Sequence, residues 1–191
     1  MINTTLYTAR TTLTLLTEAD LPAMEAMARE PDTFKYVKKL RVMSPAEYTQ
    51  FLHIKLEQIR TGVGYHWAVR LKGPGITASP GGPALFIGAV NLNPIKRSGH
   101  HFSADDPARL QIGCQLKRDY WGQGFASELT ACILHFAIYE LKLPAVYGVF
   151  EQDNDISRRL LEKLGFVFEE SIQEQDVVIE THKFISPIVT A

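Results

Sequence analysis

Apolar and polar positions along this chain repeat with two periods, about 2 and about 3.6, and the switches between them divide it into elements. Residues 7–16 alternate and are rich in Thr and Leu, which predicts a first strand. Thr17, three residues before Asp20, pairs an N-cap hydroxyl with a capping carboxylate, so a helix begins there. Leu21, Met24, Met27 and Ala28 form its apolar stripe, and Pro31 closes it. Ser44, Pro45 and Glu47 repeat the start signal for a second helix carrying Tyr48, Phe51, Leu52, Lys55, Leu56 and Ile59, with a stop at Thr61 and Gly62. Residues 65–71 and 84–91 read as strands joined by a Gly/Pro-crowded hairpin loop over 72–83, and residues 92–108 read as a second irregular stretch. In the next strand, residues 109–116, Gln111, Gly113 and Gln115 share one face, and Leu110, Ile112, Cys114 and Leu116 share the other. Leu129, Cys132, Ile133, Phe136, Ala137 and Leu141 then recur at helical spacing until Pro144. A buried strand over 145–151, a helix over 155–164 stopped by Gly165, and a terminal hairpin of 166–171 with 177–185 complete the pattern.

A strand, a long helix and a strand over 109–151 call for a parallel crossover, which makes the expected class α/β (α+β) with a mixed sheet. At 191 residues, 46% hydrophobic, with mean hydropathy of −0.06, the chain suits one domain with a substantial core spanning 1–191. Twenty basic against twenty-one acidic residues argue against broad nucleic-acid binding. No apolar run approaches the roughly 20 residues of a membrane span, and the N-terminus lacks a signal pattern, so the expectation is a cytoplasmic protein without membrane contact. Cys114 and Cys132 show no CxxC spacing and read as buried free thiols. His100 and His101 precede Asp105 and Asp106 without the convergent spacing of metal ligands, so no metal is expected.

The chemistry concentrates in residues 116–129, LKRDYWGQGFASEL, where a strand ends, the chain turns through two glycines and a helix begins. Gly122 and Gly124 permit positive φ and close approach of the backbone to a ligand. The unpartnered N–H groups of the following helix, with its dipole, would receive an anion without any lysine. A tight strand-to-helix turn would need the same glycines. There is no GxxxxGK[ST], and no GxGxxG followed by a ribose-binding acid, which removes two common phosphate loops.

Trp121, Gly122, Gln123, Gly124, Phe125 and Ala126 resemble motif A of the GNAT acetyltransferases, [QR]xxGx[GA], in the WGxGYA form of the RimJ/RimL-like subfamily. Trp121 stands for the Gln or Arg and Phe125 for the Tyr. Downstream, NDISRRLLEKLGF resembles the family's NxxSxxxLEKxGF. The resemblance implies a GNAT fold: a central sheet of about seven strands with splayed central parallel strands and about four helices. It implies acetyl-CoA as cosubstrate, its pyrophosphate on the N–H groups from Trp121 to Ser127. Its pantetheine would pair with Cys114, Gln115 and Leu116, freed at a bulge at Gly113, and with Asn154, which is equally a good helix N-cap.

Residues 32–43, with Phe34, Tyr36, Lys35, Lys38, Lys39 and Arg41, would form a wall of the acceptor site or simply a solvated connection. Gln111 stands in QIGC where relatives carry EIGY, and would contact substrate. The Tyr that many relatives place seven residues after the Asn is Leu161 here. Ser157 would then donate a hydrogen bond near the sulfur. For a base, Glu151 lies two residues beyond Val149 on one strand face, where it reads equally as an exposed strand-end carboxylate. The implied activity is acetyl transfer to a primary amine, a protein N-terminal α-amine or a small molecule, with homodimers common among relatives. A catalytically silent acyl-CoA-binding protein, or a nucleotide-binding module using the same loop, are the alternatives.

Overall fold

The computed structural model describes residues 2–37, 40, 42–73, 84–95, 109–174 and 176–188. The loop expected at 72–83 lies outside them from residue 74 on, as do Lys38, Lys39, Arg41, His100, His101, Asp105 and Asp106. The strands are β1 (Leu6–Tyr7), β2 (Thr11–Leu15), β3 (Tyr65–Leu71), β4 (Phe86–Pro94), β5 (Leu110–Leu116), β6 (Ala145–Glu151), β7 (Val167–Glu174) and β8 (Val177–Ile185). The described α-helices are α1 (Leu21–Ala28), α2 (Pro45–Arg60), α3 (Phe125–His135) and α4 (Asp155–Lys163). Eight strands form one sheet in the order β1-β2-β3-β4-β5-β6-β8-β7, slightly more than the resemblance implied. Among the described residues only β5 and β6 run parallel, and every other neighbouring pair is antiparallel.

The additional strand comes from the stretch expected as one, residues 7–16. Thr8 and Thr11 break it into a hairpin: Thr11 N donates to Thr8 Oγ1 at 2.9 Å and the two hydroxyls lie 2.6 Å apart. Short hydroxyl side chains compete with the sheet ladder in this way. β4 runs three residues past its expected end, because Leu92, Asn93 and Pro94 pair with Ile112, Gln111 and Leu110. Pro94 is tolerated there since the pairing of β3 with β4 has already ended at Leu92. Both capping boxes form; Ser44 N donates to Glu47 Oε2 at 2.7 Å and Glu47 N to Ser44 Oγ at 3.3 Å. α3 ends in a π-helical turn, Phe136–Glu140, closed by Leu141 N to Phe136 O at 3.1 Å. Gly165 follows α4 with φ +90, the left-handed stop.

Two cores sandwich the sheet. On one face, Leu129, Ile133, Phe136 and Ala137 of the α3 segment and Leu161 of α4 pack on Trp67, Val69, Val90, Leu110, Ile112 and Leu116. On the other, Met24, Met27, Phe34, Tyr48 and Leu52 from α1, α2 and their connection pack on Ala68 and Ala89. Each Leu, Ile, Val, Phe or Met side chain among them, taken fully from water, stabilises the fold by about 1.5–3 kcal/mol. Gln111, Gly113 and Gln115 therefore face the α1/α2 layer, as their period predicts.

The expected bulge at Gly113 is absent: β4 and β5 stay in register from Leu110 to Leu116. Gly113 instead makes room for a side chain, because a Cβ there would lie 2.7 Å from Asn91 Nδ2 and 2.9 Å from its Oδ1. The splay is real and lies on the other side of β5. β5 and β6 are registered only at Gln111 and Tyr147, and they part toward their C-terminal ends.

Candidate active site

The direction of β5's main-chain groups follows from its ladder with β4. Lys117 N donates to Ile87 O at 2.9 Å and Ile95 N to Arg109 O at 3.0 Å, so odd-numbered residues of β5 turn their N–H and C=O toward β4. Those of Cys114 and Leu116 point into the gap beside β6. Gln115, expected with them, has its main chain in the β4 ladder opposite Ala89, and only its side chain faces the α1/α2 layer. Cys114 is half-buried rather than fully buried as expected, and desolvation by the surrounding protein pushes its thiol up to about 12.

At the C-terminal end of the gap stands the glycine loop. A short 3-10 turn, Arg118–Tyr120, leads to Trp121, whose indole Nε1 donates to Leu116 O at 2.8 Å and whose ring lies 4.5 Å from the Arg118 guanidinium. Trp121 thus ties the loop to the end of β5. Gly122 and Gly124 have φ of +71 and +79, and Gly124 is the N-cap of α3. A Cβ on Gly122 would meet nothing within 4 Å, and one on Gly124 only Arg10 Nη2 at 3.7 Å. These glycines answer a conformational demand; the space beside them is open. Gln123 sits between them with its side-chain amide donated to Asp119 O. Phe125, Ala126 and Ser127 supply the first turn of α3, where N–H groups lack intrahelical partners.

The other lip of the gap is the end of β6 and the start of α4. Glu151 is 9% exposed, so the reading as a solvated strand-end carboxylate is corrected. Asn154 N donates to Glu151 O at 2.8 Å, and Asn154 Oδ1 caps α4 by accepting Ser157 N at 3.1 Å. Asn154 therefore spends its carbonyl on the cap, while Ser157 sits one turn into the helix. Leu161, at the position of the missing Tyr, is buried with its methyls pressed on Gly148 of β6.

Phe34, Tyr36 and Gln111 are not gathered at one point. Gln111 sits at the root of the splay, where β5 still pairs with β6. Phe34 is buried, its ring 5.6 Å from that of Tyr48, and both line a cavity of about 500 Å³ between α1 and α2 together with Glu25, Glu30, Asp32 and Thr49. Tyr36 is outside that lining and packs near Lys35. Glu30 links the cavity to the turn before the glycine loop, accepting Arg118 N at 3.2 Å. Tyr48 stands out within it: its hydroxyl is buried without a hydrogen-bond partner among the described residues, and burial, then the charge of Glu25, raise its pKa above the usual phenol range.

The sequence reading passed over Tyr48, taken as helix stripe, and Arg10, taken as strand. Arg10 lies against the loop: Nη1 donates to Gln123 O at 2.9 Å, Nε to Glu128 Oε2 at 2.7 Å, and the guanidinium sits 3.8 Å over the Phe125 ring. Nothing local in the sequence marks that contact.

A parallel strand pair opening toward a left-handed glycine loop and a helix N-terminus is the arrangement of GNAT acetyltransferases. The profile of the acetyltransferase (GNAT) domain matches residues 10–167, and the chain belongs to that family. An uncharacterized N-acetyltransferase of Bacillus subtilis strain 168, YoaA, is 35% identical over 68 residues, covering 36% of this chain and 38% of that relative. Among solved structures, RimL, a ribosomal L7/L12 α-N-protein acetyltransferase in complex with coenzyme A, is similar with TM-score 0.74 at 12% identity, over 95% of this chain and 98% of that one. Spermidine N-acetyltransferase from Vibrio cholerae, in complex with CoA and spermine, gives TM-score 0.69 at 18% identity, over 92% and 95%. At those identities the likeness is one of fold.

Proposed function

We propose that this chain is an acetyl-CoA-dependent N-acetyltransferase of the RimJ/RimL type, acting in the cytoplasm on a primary amine, either a protein N-terminal α-amine or a small molecule. The observation that carries this is the one-position pairing of β5 with β6, open at the end where Gly122 and Gly124 hold a left-handed loop. The residues fit the cosubstrate. The loop and the first turn of α3 would offer N–H groups to a diphosphate, and Cys114 its N–H and C=O, with the Leu116 N–H, to an extended amide-bearing arm, the Leu116 carbonyl being taken by the Trp121 indole. Acetyl-CoA supplies the activated thioester. With its Oδ1 taken by the helix cap, the Asn154 side-chain NH₂ would be the group that hydrogen-bonds the arm.

The acceptor enters over the α1/α2 face, across Gln111 and Gln115, with the Phe34 and Tyr48 cavity as its side wall. Attack is direct, within a ternary complex. Glu151 takes the amine proton and the Ser157 hydroxyl gives a hydrogen bond to the departing thiolate. An α-amine with an unperturbed pKa of about 7.7–8.0 is partly neutral near pH 7.5, so a modest base suffices for it, whereas a lysine near 10.4 demands more.

Thiol release from acetyl-CoA is the test, across N-terminal peptides, polyamines, amino acids and aminoglycosides. Turnover with one class names the acceptor, and a pH-rate profile unchanged in Glu151→Gln removes Glu151 as base. The buried Leu161 favours a second reading, a silent acyl-CoA-binding protein. A chain that binds CoA and turns over none of the panel supports that reading.

A further inference from the structure

We propose that Arg10 is a positioning residue that locks one peptide of the glycine loop with its N–H facing the cosubstrate. The inference rests on the loop holding the diphosphate. Gln123 lies between two glycines with φ of +71 and +79. The peptide joining Gln123 to Gly124 is planar and trans, so its C=O and N–H point in opposite directions. Because glycine accepts either sign of φ, a peptide beside it turns over at little cost. In one orientation the Gly124 N–H joins the other donors around the anion; in the other the Gln123 carbonyl faces the phosphate and repels it.

Arg10 selects between them. Its Nη1 donates to Gln123 O at 2.9 Å, which holds the carbonyl on the side of the β1–β2 turn and leaves the N–H on the opposite side. Arg10 is itself rigidly held. Its Nε and main-chain N–H both donate to the Glu128 carboxylate, at 2.7 and 3.0 Å, its own carbonyl accepts Lys72 N at 2.8 Å, and its guanidinium lies 3.8 Å over the Phe125 ring. The same pair answers a problem of charge. Glu128 lies in the first turn of α3, close to where an anion is to bind, and the guanidinium neutralises it there. The loop's own Trp121, standing where relatives carry Gln or Arg, is occupied with Leu116 O and offers no such contact.

The experiment compares acetyl-CoA with S-acetylpantetheine, a thioester lacking all phosphates, by kcat/KM, and measures CoA affinity by calorimetry. Arg10→Met keeps an unbranched apolar stem and the main-chain N–H and removes the side-chain donors. It should lose about ten-fold on acetyl-CoA and CoA, the size of one hydrogen bond to a charged group, and nothing on S-acetylpantetheine. Gln123→Gly leaves Arg10 in place, frees the same peptide, and should show a several-fold loss with the same selectivity. Equal losses on both thioesters, or no loss on either, overturn the proposal. A wild type that shows no preference for CoA over pantetheine strikes the reading of the loop itself, and does so without any substitution.

Discussion

The two sides of the candidate site differ in what they are made of. The proposed cofactor side is mostly main chain: N–H groups of the loop, strand edges at Cys114 and Leu116, and two glycines whose φ values are positive. The proposed acceptor side is side chains: Gln111 and Gln115 on the sheet, Asn91 lying over Gly113, and the rings of Phe34 and Tyr48. Main chain is shaped by conformation, and a few residue types govern conformation. Side chains are shaped by neighbours distant in sequence.

The contrast breaks most directly at Gly124. Gly124→Glu forces a side chain into φ +79, a strain of about 1–2 kcal/mol, and sets a carboxylate beside the diphosphate donors. With the loss of one or more hydrogen bonds to charged oxygen, acetyl-CoA turnover should fall on the order of 100-fold or more. Thermal unfolding should drop only by a few degrees, since a Cβ there meets nothing closer than 3.7 Å. Wild-type affinity for CoA in this variant would mean that the loop is only a turn.

A second test is by pH and belongs to the acceptor side. His66 of β3 is 1% exposed, its Nε2 is 2.7 Å from Gln58 Oε1, and Lys55 Nζ lies 3.5 Å from its Nδ1. Burial first, and then the Lys55 charge, hold its pKa well below the ordinary value. The imidazole is therefore neutral when folded and gains a proton more readily when unfolded. Below about pH 6.5 the unfolded state binds the extra proton, so stability falls as pH falls, by up to about 1.4 kcal/mol per unit until the folded group also titrates. His66→Gln should flatten that slope in denaturant unfolding at pH 5–7 while leaving the glycine loop untouched. An unchanged slope would assign the acid sensitivity elsewhere.

Legibility followed the same division. The Ser44 and Thr17 caps, the left-handed glycines at 122, 124 and 165, and the alternation of Gln111, Gly113 and Gln115 are local, and the chain announces each of them. The β1–β2 hairpin was hidden because Thr8 and Thr11 fit an alternating strand as well as a side-chain turn. The extension of β4 depended on β5, and the space at Gly113 on Asn91 across the ladder. Arg10 and Tyr48 carried no local signal at all. Arg10 is defined by Gln123 and Glu128, more than a hundred residues away.

The smallest expected effect is the sharpest on the acceptor side. The Tyr48 hydroxyl is buried and has no partner among the described residues, so Tyr48→Phe removes a desolvated polar group and no hydrogen bond seen there. Stability should be unchanged or higher by up to about 1 kcal/mol. The hydroxyl keeps its proton, because burial and then Glu25 raise its pKa, and in the cavity it is a neutral partner for an incoming amine or amide. Losing one neutral hydrogen bond should raise the acceptor KM by several-fold, with KM for acetyl-CoA unchanged. A rise in both KM values would mean that Tyr48 acts through packing against Phe34 and the sheet. A gain in stability with neither KM changed would detach the cavity from the acceptor path, leaving Gln111, Gln115 and Asn91 as the surface on which the acceptor is read.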